Sequence, residues 1–142
     1  MAEATFAHIV IRLGSLIIAD TLRAVRTLET SHPASFYLPP DNIAPEVLVQ
    51  VDGSSFCEWK GHARHFDVSG GGERREKAAW SYPDPTAPFE ILRDHLAFYA
   101  GAMGACFVDG EQVLPQPGGG YDGWITSAIV GPFKGVPGSR FW

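Results

Sequence analysis

The sequence predicts a mainly β fold: one small domain of short antiparallel strands in two facing sheets, followed by a Gly/Pro-rich C-terminal tail. Three observations carry this. Sixteen Gly and eleven Pro among 142 residues break the chain into pieces too short for long helices. The apolar pieces between those breaks are rich in β-branched and aromatic residues, and turn-forming pairs such as Gly14-Ser15 and Asp109-Gly110 separate them. Hydrophobic residues make up 45% of the chain and charged residues 19%, which suits a single core and not a disordered chain.

Residues 8–13 and 16–19 are β-prone runs on either side of Gly14-Ser15 and read as a hairpin. Residues 23–28 alternate as a short strand. Residues 29–33 break it, because the residue before Pro33 is pushed to an extended geometry. Phe36-Tyr37-Leu38 is a short apolar piece closed by Pro39-Pro40. Residues 41–48 read as one short helix, with Pro45 early in it and Glu46 in its first turn. Residues 61–68 form a strand, Gly70-Gly71-Gly72 a turn, and 77–82 the returning strand, stopped by Pro83-Asp84-Pro85. Two further β-prone pieces, 96–102 and 105–108, lie around Gly104, and 111–114 follows the Asp109-Gly110 turn. This gives a core domain over 1–114. Residues 115–142, with an extended run at 124–130, are a C-terminal extension laid over the domain or a partner.

A formal net charge of −5 without a basic run leaves a poor electrostatic footprint for nucleic acid or an anionic membrane, so neither is an expected partner. Cys57 and Cys106 are the only cysteines, and two distant thiols make no disulfide framework. The first residues lack the basic and apolar regions of a signal peptide, and no apolar run approaches ~18 residues. A cytoplasmic, reducing setting is the expectation.

The chemistry-bearing side chains concentrate in FCEWKGHARHF, residues 56–66. On a strand His62 and His65 point to opposite faces, so they do not share a metal, and the chain has no C-x-x-C pair. No metal and no cofactor is expected. Cys57 is a candidate nucleophile: Lys60 follows three residues on and His32 can approach in space, which permits a Cys–Lys or Cys–His arrangement. The alternative is a small buried apolar residue. Glu29, Asp84 and Asp109 are scattered single acids. The triple-glycine runs lack the ending of a P-loop, and G-x-S-x-G and H-E-x-x-H are both missing. Trp59, Trp80, Tyr82, Phe98, Tyr99 and Trp124 sit near the β-prone pieces, with Trp80 and Tyr82 on one strand face. Each reads as core, or jointly with Lys60 and Glu29 they line a pocket for a flat or cationic small molecule.

ETSHPASFYLPP at 29–40, FCEWKGHARHFDV at 56–68, AAWSYPDP at 78–85 and FYAGAMGACFVDGEQV at 98–113 resemble the bacterial family called domain of unknown function 427. The order and spacing fit across residues 8–114. The resemblance implies a β-tent-like architecture, similar to methionine sulfoxide reductase B and the cereblon ligand-binding domain, with a binding site between two sheets. Relatives of that architecture often hold zinc through two C-x-x-C pairs, which this chain lacks. The family is sometimes labelled nucleotidyltransferase-like. Gly14-Ser15 followed by Asp20 is an echo of a Gly-Ser…Asp-x-Asp motif, but Leu22 stands where the second carboxylate belongs.

The expected function is small-molecule binding in an aromatic pocket containing Glu29, Trp59, Lys60, Trp80, Tyr82 and Tyr99. One alternative is an enzyme using Cys57, with His32, as a nucleophile or redox thiol. A second is a structural module in which two copies of the chain form a homodimer.

Overall fold

The computed structural model describes residues 2–28, 34–57, 60–115 and 123–126, with the backbone alone at 54 and 57. Its strands are β1 (Ala2–Ala4), β2 (Ile9–Leu13), β3 (Leu16–Thr21), β4 (Val25–Thr27), β5 (Ser35–Tyr37), β6 (Leu48–Cys57), β7 (Gly61–Gly70), β8 (Glu73–Ser81), β9 (Leu96–Phe98), β10 (Ala105–Val108), β11 (Glu111–Gln112), β12 (Leu114–Pro115) and β13 (Trp124–Ile125). Helical structure among the described residues is confined to 3₁₀ turns at Pro40–Asn42, Ala87–Leu92 and Ala100–Ala102.

All pairings are antiparallel. One four-stranded sheet runs β11-β10-β2-β3 and the other β6-β7-β8-β9; β1-β4-β5 and β12-β13 are smaller. A bridge between Leu38 and Leu96 joins β5 to the free side of β9, with each amide donating to the other's carbonyl at 2.8 Å. The β6–β9 sheet therefore continues into β5, β4 and β1.

This extended sheet is apolar on both faces, and strand alternation sorts its residues between two clusters. Phe36, Leu38, Val68, Ala79, Leu96 and Phe98 join Ile9, Ile11, Leu13 and Ile18 of the β2–β3 hairpin in the larger core. Val25, Tyr37, Ala63, Trp80 and Ala97 point the other way. They pack with Tyr82 and with Phe89 and Leu92 of the 87–92 turns in a second cluster. A strand buried on both faces loses the apolar–polar alternation that makes strands easy to read.

The two long hairpins meet at their tips. Gly14 has φ +55° and Gly71 φ +59°, and a Cβ built on either would run into the backbone of the other turn. Only glycine meets both demands there.

Two expectations are corrected, and two strands are added. The helix over 41–48 is a single 3₁₀ turn at Pro40–Asn42; Glu46 has φ +66°, and β6 begins at Leu48. The 96–102 strand ends at Phe98 and turns at Ala100–Ala102. Strands β1 and β6 were not anticipated. In β6 the register shifts between Gln50 and Ser54, and Gly53 has φ +96°, so the period-2 pattern is interrupted. The 127–130 part of the extended run lies outside the described residues. No helix among the described residues is long and apolar enough to cross a membrane.

Candidate functional site

The aromatic rings of the second cluster come from four segments. On β8, alternation sends Trp80 to the face opposite Ala79, and Tyr82 follows two residues later on the same side. On β9, Ala97 pairs with Trp80, and Tyr99 lies two residues beyond it. Tyr37 comes from β5, flanked by Phe36 and Leu38 that face the other core. The 87–92 segment brings Phe89.

The rings are locked by geometry. Trp80 meets Tyr37 edge-on, with centroids 6.2 Å apart and planes at 89°, and its indole Nε1 donates to the Tyr37 hydroxyl at 3.4 Å. Tyr82 lies 6.2 Å from Tyr37, and Tyr99 lies 4.6 Å from Trp80 with planes at 46°. Such offset pairs add roughly 0.5–1.5 kcal/mol each beyond area burial. Trp80 is 4% exposed and Tyr82 7%, so both are walls of a packed cluster, while Tyr99 is only partly buried at its margin.

Lys60 is the cation of the cluster. It is 9% exposed, and its Nζ stands 5.6 Å from the centre of the Phe89 ring, within cation–π range. Its backbone is fixed too: the Lys60 carbonyl accepts the Thr86 amide at 3.0 Å. Gly61, with φ +108°, lets the chain pass under the Asp84 carbonyl, 3.1 Å from where a Cβ would sit. Arg93 pins the facing loop. Its Nη1 donates to the Pro83 carbonyl at 2.9 Å, and its Nε and Nη2 grip Glu90 at 2.6 and 2.8 Å. The hydrogen bond from Arg93 holds the Glu90 carboxyl below its usual range, and Glu90 in return raises Arg93.

Lys60, Trp80, Tyr82 and Tyr99, separated by up to 39 positions, thus converge. Glu29, His32 and Trp59 lie outside the described residues. Of Cys57 only the backbone is described: it ends β6, opposite Gly61. Sequence reading missed Tyr37 and Phe89 as members. The signal for Tyr37 was available, since alternation sets it opposite Phe36 and Leu38.

The remaining reactive groups are separate. Cys106 on β10 is a free, buried thiol, and desolvation pushes its pKa up to about 12. His62 stacks on Phe56 at 4.8 Å, whereas His65 Nε2 meets Ser55 Oγ at 3.0 Å on the other face. Asp20 on β3 meets His8 Nε2 at 2.7 Å, and Gly14-Ser15 forms the β2–β3 hairpin turn. Among the described residues no three His, Cys, Asp or Glu side chains are grouped to hold a metal ion.

The family described as Domain of unknown function (DUF427) matches residues 1–109. The chain belongs to this family. No curated protein matches the chain. Tyr37, Lys60, Trp80, Tyr82, Phe89 and Tyr99 all fall inside the part shared with the DUF427 family, whereas Trp124 falls beyond it.

Proposed function

We propose that this DUF427 domain is a small-molecule-binding module whose site is the aromatic cluster beside Lys60. One observation carries the reading: a lysine only 9% exposed as a residue, with its Nζ 5.6 Å from the centre of the Phe89 ring, beside the Tyr37–Trp80–Tyr82 cluster. Removing a charge from water costs free energy, and lysine normally keeps its head in solvent. A ligand with a flat apolar body and a carboxylate or phosphate fits those surroundings. The rings would pack against the body, and Lys60 would meet the anion with a charge-assisted hydrogen bond. On sequence grounds Glu29 and Trp59 belong to the same ligand-binding set, and His32 to the reactive candidates.

Native mass spectrometry of the freshly purified protein tests this. Wild type should carry extra mass that is lost on denaturation, and Lys60→Met should not. Identical clean masses for both would remove a tightly held ligand.

A second reading has one observation in its favour. With Cys106 buried and its thiol pushed up to about 12, thiol chemistry at neutral pH would fall to Cys57. The backbone of Cys57 pairs with Gly61, the neighbour of Lys60. In this reading Lys60 or His32 lowers the Cys57 pKa.

A further inference from the structure

A cavity of about 330 Å³ lies apart from the aromatic cluster, on the other side of the β4–β5 ribbon. It is lined by Phe6, Arg26, Phe36, Val108, Asp109 and Trp124, among others. Its size is at the small end of the ~300–1,000 Å³ typical of ligand pockets.

The floor is aromatic. Phe36 and Trp124 pack with centroids 5.3 Å apart at 47°. Trp124 is anchored from behind: its indole Nε1 donates to the Phe98 carbonyl at 3.0 Å and its amide to the Ala34 carbonyl at 2.8 Å. The rim carries Phe6, which is 90% exposed.

The charges decide what the cavity would take. Arg26 is engaged by Glu3, with its Nε donating to Oε1 at 2.6 Å, so that pair is internally neutral. Asp109 is different. Its Oδ1 accepts the His8 amide at 2.8 Å while its own amide donates to the His8 carbonyl at 2.8 Å. This reciprocal pair fixes the carboxylate, and no cation among the described residues pairs with it. With Arg26 of the lining matched by Glu3 outside it, Asp109 is the charge left without an ion-pair partner among the described residues at the cavity, beside aromatic rings. That combination favours an organic cation, because ring quadrupoles and the carboxylate attract it together.

We infer that this cavity binds a small organic ammonium ion, with its charged head at Asp109 and its apolar body against Phe6, Phe36 and Trp124. The site is independent of Lys60 and of the proposed function.

The test is a titration of ¹⁵N-labelled protein with choline and with its uncharged isostere 3,3-dimethylbutan-1-ol. Choline should shift the Trp124 indole and Asp109 amide signals in a saturable way, and the isostere should bind about tenfold more weakly or worse. Asp109→Asn keeps the oxygen that accepts from His8 but loses the charge. It should keep the wild-type melting temperature and weaken choline by a similar factor. Phe6→Ala, at an exposed position, should weaken choline without unfolding the domain. Equal binding of choline and the isostere, undiminished binding to Asp109→Asn, or no saturable shift at Trp124 would each overturn the inference.

Discussion

Cys106 and Lys60 show how environment assigns roles to single residues. Both are buried, but in different company. Cys106 lies in the larger core among Ile11 and other apolar side chains, where only the neutral thiol is stable. Its pKa, raised to about 12, sets a pH prediction. A group whose folded pKa exceeds the unfolded one contributes stability that is complete below the unfolded value. That contribution is lost as pH rises through the folded value. For Cys106 the window runs from 9.0, the value of a free thiol, upward to about 12. Under native conditions at pH 8, iodoacetamide should therefore leave Cys106 unmodified, and peptide mapping should find any label on Cys57. Labelling of Cys106 in the folded protein would contradict its placement. Both cysteines were visible in the sequence, but the burial of Cys106 was not, because burial is a property of the fold.

At the element scale the hairpins were legible and the bulged or doubly buried strands were not. Gly14-Ser15 and Gly70-Gly71-Gly72 punctuate clear β-prone runs, so β2–β3 and β7–β8 could be drawn from the sequence. Strand β6 could not, because its shift near Gly53 disrupts the alternation and it lies at a sheet edge with Val49 and Phe56 exposed. The β7–β8 ladder hides a second irregularity. Phe66 pairs with Ala79 but Val68 pairs with Arg75, so three residues of β8, 76 to 78, bulge opposite the single Asp67. Its carboxylate replaces the missing ladder contacts, accepting the Lys77 amide at 2.9 Å and Arg74 at 2.6 Å. Those bonds hold Asp67 below the usual carboxylate range and accompany φ +47° at Lys77. No short-range pattern announces such a device. The helix expected over 41–48 failed for a related reason: Pro45 and Glu46 suited a first turn, yet Glu46 takes a left-handed backbone and hands the chain to β6.

The hairpin tips supply a prediction at this scale. Gly14→Ala forces a Cβ into a left-handed backbone, worth about 1–3 kcal/mol, and also against the Gly71 turn. Gly72→Ala meets the same kind of backbone strain, at φ +84°, with nothing within 4 Å. Thermal or urea unfolding should show Gly14→Ala to be clearly the more destabilised of the two. Equal losses would mean that the tips do not touch in solution.

For the whole molecule, the extended sheet separates two apolar clusters, and each has its own neighbouring charge. Lys60 lies at the smaller one, and Asp109 at the cavity beside the larger one. The sequence brought out the aromatic residues and Lys60 as a set, because they cluster in short, turn-bounded segments. It could not say that Tyr37 would stand between Trp80 and Tyr82, since that contact depends on β5 joining β9 through Leu38 and Leu96. Nor did it connect Phe36, Asp109 and Trp124, which come from three distant segments.

The Lys60 cluster is proposed to bind an anionic, flat small molecule. A ¹H–¹⁵N correlation titration with phenyl phosphate, on wild type and on Lys60→Met, tests it most directly. Wild type should show saturable shifts at the Trp80 indole and the Tyr99 amide, and Lys60→Met should bind about tenfold more weakly or worse, as expected for losing a hydrogen bond to a charged group. No saturable shift in wild type, or equal affinity in a Lys60→Met variant with native melting behaviour, would contradict it.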